Sequence, residues 1–279
     1  IHVLGFDADH ATLDKLAGEQ AISPAFSLEE LVQALPQPRV LWTMLPAGPI
    51  SQATVDKLAS LLSQDDLLID GANARYQDSQ ARAASLQSKG IQFIDVGVSG
   101  GIWGLQNGYC LMIGGSPSSV ERASPYFQAL APSAEQGWLH CGPVGAGHYT
   151  KMIHNGIEYG MMQALAEGFA LLQNKKDLQL PVADIAELWQ HGSVVRSWLL
   201  ELTADALADP ENLDEIAPFV SDSGEGRWTV DAAVEQGVPA PVLSMALMMR
   251  FATQGKNDYA AKLLAAMRQG FGGHAVVKN

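Results

Sequence analysis

The 279-residue chain is 47% hydrophobic and only 17% charged, which excludes global disorder and provides enough apolar surface for two domains. Its 30 acidic and 17 basic residues give a formal net charge of −13, which argues against a nucleic-acid or membrane-surface binder. Any anionic ligand must therefore meet a locally positive pocket.

The two cysteines, Cys110 and Cys141, form neither a disulfide framework nor a metal-ligand spacing, so we expect no metal site and a reducing cytoplasmic setting. No apolar run approaches the roughly 18 residues of a membrane span. The N-terminus also lacks the basic-then-apolar pattern of a signal peptide.

The first half of the chain alternates short apolar runs with helical patterns, which is typical of βαβ units around a mostly parallel sheet. We predict an N-terminal Rossmann-like dinucleotide-binding domain over residues 1–145. The predicted strands are 1–7, 38–45, 67–70, 91–96, 109–113 and 137–141, and the predicted helices are 11–16, 52–62 and 78–89.

Strand signals stop after the Gly142–Gly147 segment, and only helical patterns follow. We therefore predict an all-α domain over residues 146–279. Gly156, Gly160 and Gly168 lie inside its first helix, where close packing is expected to compensate the low helix propensity of glycine. The predicted helices are 151–172, 181–190, 194–208, 214–220, 228–236, 241–253 and 260–268.

Asp7 ends the first predicted strand, where an acid in a dinucleotide-binding fold bonds the adenosine ribose. The G-x-G-x-x-G fingerprint normally lies about 20 residues before that acid, so we expect the first strand and phosphate loop to be missing from this sequence. A carboxylate at Asp7 would repel a 2′-phosphate, which favours NAD over NADP. Taken alone, an acid after a strand is more often a turn residue.

Three polar or glycine-rich loops follow consecutive predicted strands, and ligands of parallel sheets bind at these strand ends. Leu45, Pro46 and Ala47 are expected to line the cofactor site, together with Asn73. Ser99, Gly100 and Gly101 offer backbone N–H groups that could hold a carboxylate. Each loop alone could be an ordinary turn, and for Gly114-Gly115 a turn is the preferred interpretation.

The long predicted helix carries Lys151, His154, Asn155 and Glu158 at spacings of three, four and seven, which places all four on one face. A lysine and a glutamate facing a protected cleft can act as base and acid. The apolar residues around them, such as Ile157, predict a helix buried on several sides. The alternative is a polar stripe satisfied by solvent or by another helix.

The Gly224–Thr229 segment is a glycine-rich turn that enters a helix, and it brings together Arg227, a hydroxyl and a helix N-terminus. These are the parts of a phosphate site, although a simple helix start with a solvated arginine is about equally favoured. The glycine-rich tail after Arg268 contains Phe271 and His274, which hint at docking rather than the fraying usual for such tails.

Two long motifs, Asp95–Gly115 and Gly142–Gly168, closely resemble decarboxylating 6-phosphogluconate dehydrogenase of the pentose phosphate pathway, in its short, NAD-preferring form. The resemblance implies oxidation of 6-phosphogluconate to ribulose 5-phosphate and CO2. It implies Lys151 as the base and later acid, Glu158 as the proton donor to C1, and His154 and Asn155 as residues that hold substrate and cofactor.

The resemblance also implies the substrate site. Ser99, Gly100 and Gly101 match the loop for the substrate carboxylate, and Asn73 matches an asparagine near nicotinamide and substrate. The phosphate would be bound by Tyr159, Arg227, Thr229, Arg250 and Arg268, with Arg227 in place of a lysine. Arg268 and His274 match a tail pair that enters the active site of a neighbouring subunit, so at least a dimer is implied. Residues 146–279 are therefore implied to be the substrate and oligomerisation domain.

The nearest alternative is a non-decarboxylating β-hydroxyacid dehydrogenase of the 3-hydroxyisobutyrate type, in which the lysine is followed by an Asn-Asn pattern. His154-Asn155 and Glu158 favour the sugar-phosphate enzyme instead. A third possibility, a cofactor-binding sensor without turnover, is disfavoured because both Lys151 and Glu158 are present.

Overall fold

The computed structural model describes residues 1–19, 21–272, 275 and 277, which divide into two compact units, 1–152 and 153–279. The first unit contains the strands, and the second is helical. This arrangement confirms the predicted fold class, a parallel-sheet domain followed by an all-α domain. Across the described residues, no helix is both long and apolar enough to cross a membrane.

The N-terminal segment differs from the prediction. The strand expected over residues 1–7 is only β1 (Leu4–Gly5), which pairs in parallel with β2 (Ser23–Pro24) in a separate two-stranded sheet. Ile1 and Val3 are 74% and 47% exposed, so the segment is not the buried strand that its apolar sequence predicted. With a single neighbouring strand, it has hydrogen-bond partners on one side only.

The main sheet has five strands in the order β3-β4-β5-β6-β7, and only the β5–β6 pair is antiparallel. Its central strands are buried on both faces, as near-continuous apolar sequences predict. The strands are β3 (Val40–Thr43), β4 (Leu67–Asp70), β5 (Gln92–Ser99), β6 (Cys110–Gly115) and β7 (Trp138–Gly142).

Successive residues of β4 point to opposite faces of this sheet and join two separate cores. Ile69 packs with Phe127 of α6 (Pro117–Leu130) on one face. Leu68 packs on the other face with Leu58 of α3 (Pro49–Leu61) and Leu86 of α4 (Tyr76–Gln87). The helices of the first unit are α1 (His10–Gly18), α2 (Leu28–Ala34), α3 (Pro49–Leu61), α4 (Tyr76–Gln87), α5 (Gly104–Asn107) and α6 (Pro117–Leu130).

The long helix α7 (Ala146–Asn174) begins in the first unit and continues into the second. Its first residue, Ala146, is also the first residue of the predicted helical domain. The domain boundary between residues 145 and 146 remains a prediction. In the second unit, Phe169 of α7 packs with residues of α8 (Val182–Trp189) and α9 (Trp198–Ala208), and Tyr159 packs with residues of α12 (Pro241–Thr253). The remaining helices are α8 (Val182–Trp189), α9 (Trp198–Ala208), α10 (Pro210–Glu215), α11 (Glu225–Gln236), α12 (Pro241–Thr253) and α13 (Asp258–Gly272).

Two local predictions are wrong. Gly114 and Gly115 belong to strand β6 rather than to a turn. Glycine is required at position 114 by close packing, because a side chain there would collide with the Asp95 carboxyl and with the backbone of Gly147. The helix expected over 214–220 is α10, which begins at Pro210 and ends at Glu215. Its early start fits the rigid φ of proline, which suits the first turn of a helix.

The glycines of α7 serve different purposes. A Cβ at Gly147 would lie 2.5 Å from the carbonyl oxygens of both Asp95 and Met112, so only glycine lets the helix approach the sheet this closely. A Cβ at Gly156 would press on Thr229 at 2.6 Å, and one at Gly160 would meet Leu243 at 3.1 Å. No atom lies within 4 Å of a Cβ at Gly168, where the expected close packing is absent.

The contrast between Gly147 and Gly168 gives a test within one helix. Gly147→Ala should lower the free energy of unfolding by about 1–3 kcal/mol, because its new methyl group meets backbone atoms that cannot move independently. Gly168→Ala should raise it by up to about 1 kcal/mol through helix propensity alone. Urea unfolding followed by circular dichroism measures both, and equal stability of the two variants would contradict the packing described here.

Candidate active site

Strands β3, β4 and β5 are parallel neighbours, so their carboxyl ends share one edge of the sheet. Thr43, Asp70 and Asp95 stand in register across these strands. The loops expected to bind ligand follow directly, and they contain the exposed Pro46, Ala47 and Asn73 and the half-buried Leu45. The structure thus brings the predicted cofactor loops together at the sheet edge.

The expected carboxylate-binding loop begins inside the sheet. Ser99 is the last residue of β5 and pairs with Cys110, whereas Gly100 and Gly101 leave the strand with φ of 137° and 52°. Both angles favour glycine. A Cβ at Gly101 would meet no atom within 4 Å, so its backbone faces open space and is accessible to a ligand.

Asp7 is exposed and lies two residues beyond the end of β1, outside the two-stranded sheet. Its Oδ1 accepts a hydrogen bond from the backbone N–H of Asp9 at 2.8 Å. This contact is typical of a turn, and the carboxylate retains acceptor capacity toward a hydroxyl. Its role in ribose binding remains a prediction.

The N-terminus of α7 is held by a carboxyl group from the sheet. Asp95 in β5 accepts hydrogen bonds from the backbone N–H of Gly145 at 2.6 Å and of His148 at 2.8 Å. These donors lie in the first turn of the helix or just before it, and they would otherwise lack an intrahelical acceptor. Burial raises the pKa of Asp95 above its usual range, although His148 and the two N–H donors oppose that rise.

The same contact places Lys151 against β5. A Cβ at Gly97 would overlap the Cβ of Lys151 and would lie 2.9 Å from the carbonyl oxygen of Gly147. Glycine at this position therefore lets the lysine backbone reach the strand that ends at Ser99. Lys151 is buried, and it lies at the edge of the sheet that also carries the expected ligand loops.

After Lys151, the other three residues of the predicted polar stripe on α7 lie close to one another. His154 Nδ1 lies 3.1 Å from Asn155 Oδ1 and 3.8 Å from Glu158 Oε2. Asn155 is buried, whereas His154 and Glu158 are half-buried. The expectation that the helix is buried on several sides is wrong for Ile157, which is 50% exposed.

Tyr159 and the two predicted phosphate arginines lie close together in the second unit. The Arg250 guanidinium carbon stacks 3.4 Å from the centre of the buried Tyr159 ring, and the group donates to the Ser221 carbonyl at 2.9 Å. Arg227 stacks 4.4 Å from the ring centre of Phe251, and its Nε donates to Asp222 at 2.5 Å. Aromatic faces and short contacts thus orient two cations.

The other predicted substrate residues have different surroundings. Thr229 is buried, and its hydroxyl donates to the Glu225 carbonyl at 2.9 Å while its side chain packs near Gly156. Arg268 lies on α13 and is exposed, outside the cluster formed by Tyr159 and the two arginines. His274 lies outside the described residues. The proposed roles of these residues remain predictions.

Several residues that support the site were not predicted from the sequence. Asp95 and Asp70 are acids inside otherwise apolar strand sequences, a pattern that signals a buried and satisfied carboxyl. Asp222, which pairs with Arg227, and His148, whose Nδ1 lies 2.7 Å from Ser79 Oγ, carry no comparable signal. Their partners are identified only by the three-dimensional structure.

Comparison with known proteins matches both units to one family. Residues 1–142 match the NAD binding domain of 6-phosphogluconate dehydrogenase, and residues 147–269 match its C-terminal domain. The chain belongs to the 6-phosphogluconate dehydrogenase family. The match to both domains of the family also agrees with the resemblance of the two sequence motifs.

Individual relatives agree with this assignment. The Bacillus subtilis protein YqeC is 41% identical over 99% of this chain and 91% of its own length. An NAD(+)-dependent, decarboxylating 6-phosphogluconate dehydrogenase from Haloferax volcanii is 37% identical over the same shares. The Plasmodium falciparum 6-phosphogluconate dehydrogenase structure, described with NADP+ and with 6-phosphogluconate, aligns with a TM-score of 0.85 at 25% identity, over all of this chain and 62% of that one.

The Asp95 contact can be tested in this 6-phosphogluconate dehydrogenase family member by substitution. Asp95→Ala leaves two buried N–H donors without an acceptor and should cost about 1–3 kcal/mol of unfolding free energy. Hydrogen exchange measured by mass spectrometry should become faster in the segment around residues 143–152.

Ser27→Ala is the matched control, because Ser27 caps α2 through the N–H of Glu30. It should cost about 0.5–2 kcal/mol without changing exchange at the start of α7. Unchanged exchange there in Asp95→Ala would show that this carboxyl does not hold the helix.

Proposed function

We propose that this chain catalyses the NAD-dependent oxidative decarboxylation of 6-phosphogluconate to ribulose 5-phosphate and CO2. The strongest support comes from helix α7, which holds Lys151 against β5 near the carboxyl end of that strand. The same helix carries His154, Asn155 and Glu158, which lie close to one another one and two turns later. Family membership over both units supplies the substrate class.

The residues at the sheet edge fit a nicotinamide dinucleotide. Gly48, after β3, has φ of 111° and no atom within 4 Å of a Cβ position, which leaves its backbone accessible. Asn73 is exposed at the end of β4, and Asp7 offers carboxylate oxygens to ribose hydroxyls. Residues 1–14 contain no Lys or Arg to meet a 2′-phosphate, so NAD is favoured and NADP is the weaker alternative.

A nicotinamide dinucleotide, held by the loops after β3 and β4 and by Asp7, would supply the acceptor for the hydride that leaves C3 of the substrate. Lys151, as the neutral amine, takes the proton of the C3 hydroxyl, and C3 becomes a ketone. The ammonium form of Lys151 then donates its proton to the C3 oxygen while the C1–C2 bond breaks and C1 leaves as CO2. Glu158 delivers a proton to the former C2 of the enediol, which becomes C1 of ribulose 5-phosphate, while Lys151, again neutral, takes back the proton of the C3 oxygen so that the ketone forms.

The other site residues bind and orient the substrate in this proposal. Ser99, Gly100 and Gly101 hold its carboxylate, and His154, Asn155 and Asn73 hold the reacting hydroxyls next to the cofactor. Tyr159, Arg227, Arg250 and Thr229 bind the phosphate, with the two stacked arginines providing the positive field that a chain of net charge −13 requires.

The activity is tested by incubating the protein with 6-phosphogluconate and NAD+ and measuring NADH and CO2 together. Equimolar release supports the proposal, and a lower kcat/KM is expected with NADP+. NADH formation without CO2 would instead favour the alternative, a β-hydroxyacid dehydrogenase of the 3-hydroxyisobutyrate type.

The two catalytic assignments predict different defects. Lys151→Ala should lower kcat by about 10³-fold or more, because both oxidation and decarboxylation lose their proton carrier. Glu158→Ala should slow chiefly the final protonation, by about 10²-fold, and leave the first hydride transfer measurable in a single turnover. Stopped-flow absorbance at the NADH band separates these steps.

Glu167→Ala is the control, because Glu167 is an exposed residue of the same helix. It should leave kcat unchanged. Near-normal turnover of Lys151→Ala would overturn the assignment of the base.

We also propose a homo-oligomer in which Arg268 and His274 enter the neighbouring subunit's site. Each described residue from Asp258 to Gln269 of α13 is exposed. Tyr259, Leu263 and Met267 recur at spacings of four and are 79%, 48% and 48% exposed, which forms an apolar stripe suited to a second copy of this chain. A reducing cytoplasmic location is proposed because Cys110 and Cys141 are both free thiols.

Mixed oligomers test the shared site. Lys151→Ala and His274→Ala proteins should each be nearly inactive alone. Unfolding and refolding them as an equal mixture should restore about a quarter of wild-type activity, because half of the dimers then contain one intact site. No recovery, despite mixed dimers verified by mass spectrometry, would place the tail in its own subunit.

A further inference from the structure

Arg82 of α4 places a guanidinium group in the interior of the first unit. Its side chain is only 3% exposed, and its partner carboxylate, on Asp70, is 1% exposed. Nη1 donates to Asp70 Oδ2 at 2.6 Å, Nη2 donates to Ser51 Oγ at 2.8 Å, and Nε donates to Gln52 Oε1 at 3.0 Å. One cation thus contacts residues from a strand and from a different helix.

Asp70 is the last residue of β4 and precedes the loop that presents Asn73. Its two carboxylate oxygens accept from different donors: Oδ2 accepts from Arg82, and Oδ1 accepts from the backbone N–H of Ala72 at 3.1 Å. Ala72 is buried, whereas Asn73 beside it is exposed. The carboxylate therefore fixes the base of the loop whose tip faces outward.

Ser51 and Gln52 lie in the first turn of α3, directly after the loop of Leu45, Pro46 and Ala47. The Ser51 hydroxyl accepts a hydrogen bond from Arg82 and donates one to the carbonyl of Gly48 at 3.0 Å. Ser51 therefore links the guanidinium of Arg82 to the backbone of the loop after β3. Arg82 is thus hydrogen-bonded to the supports of both loops that follow β3 and β4.

We propose that Arg82 and Asp70 are a positioning pair that holds these two loops in the spacing required to bind the dinucleotide. The proposal rests on the proposed function for the identity of the ligand. Arg82 does not itself bind the cofactor, because its donors are directed to protein acceptors and its side chain is buried. A buried ion pair is weak support for stability alone, whereas its fixed geometry is well suited to holding two segments in register.

A second ion pair, at the opposite ends of the same two strands, provides a matched control. Arg39 Nη1 lies 3.0 Å from Asp66 Oδ2, with side-chain exposures of 13% and 0%. Asp66 also accepts from the backbone N–H groups of Arg39 and Ser63 at 2.6 and 2.8 Å. This pair lies at the amino ends of β3 and β4, and four strand residues, about 13 Å, separate it from the ligand loops.

The experiment compares Arg82→Met with Arg39→Met in the full chain. Both variants should unfold at lower denaturant concentrations than the wild type. Only Arg82→Met should raise the Kd for NAD+, measured by isothermal titration calorimetry, by about tenfold or more, and it should raise KM for NAD+ with little change in kcat at saturation. Hydrogen exchange should become faster in residues 44–54 and 70–75 in this variant alone.

Two further variants keep the test decisive if Arg82→Met does not fold. Gln52→Ala removes one arm of the contact and should raise the Kd for NAD+ by a few-fold, and Arg82→Lys should fall between wild type and Arg82→Met because lysine lacks the three-way fork. Equal Kd values for NAD+ in the wild type and in the folded variants would overturn the proposal.

The outcome is separable from that of the proposed function. A wild-type protein that binds NAD+ but does not oxidise 6-phosphogluconate overturns the proposed function alone, since the Kd comparison still decides the role of Arg82. A wild-type protein that binds no dinucleotide overturns both proposals.

Discussion

The site depends on the close contact between the start of α7 and the sheet. Gly97, Gly114 and Gly147 remove the side chains that would hold the helix and strands β5 and β6 apart, and Asp95 supplies acceptors to the N–H groups exposed there. Lys151 then follows one turn into the helix, at a place determined by backbone atoms rather than by flexible side chains. Backbone contacts of this kind give the accuracy that proton transfer requires.

The regular elements were predictable because their sequence patterns are local. Strand β4 and helix α12 have the predicted bounds, because a short apolar run that ends in an acid and a helix that begins with proline are both recognisable from local sequence. Gly114 and Gly115 were misassigned because a glycine pair is typical of turns. In the structure, Gly114 leaves room for the start of α7, more than thirty residues later in the chain. Residues 1–7 were misassigned because apolar sequence alone does not report which strands lie alongside.

The site residues divide in the same way. The Lys151–Glu158 stripe follows from helix periodicity, and the loops at the strand ends follow from the topology of a parallel sheet. The support provided by Asp95 and Arg82 could not be predicted, because their partners lie 50 or more residues away for Asp95 and 12 to 31 residues away for Arg82. The aromatic stacking of Arg227 and Arg250 likewise appears only when α7, α11 and α12 pack together.

The register of Asp70 and Asp95 on neighbouring strands places two buried carboxyl groups side by side at the ligand edge. One is matched by a guanidinium and the other by the N–H groups at the start of a helix, so neither depends on mobile counterions. Surface ion pairs lose strength as dissolved salt screens them, whereas buried contacts are screened far less. The edge of this acidic chain should therefore keep its geometry over a wide range of ionic strength, even where the charged surface around it does not.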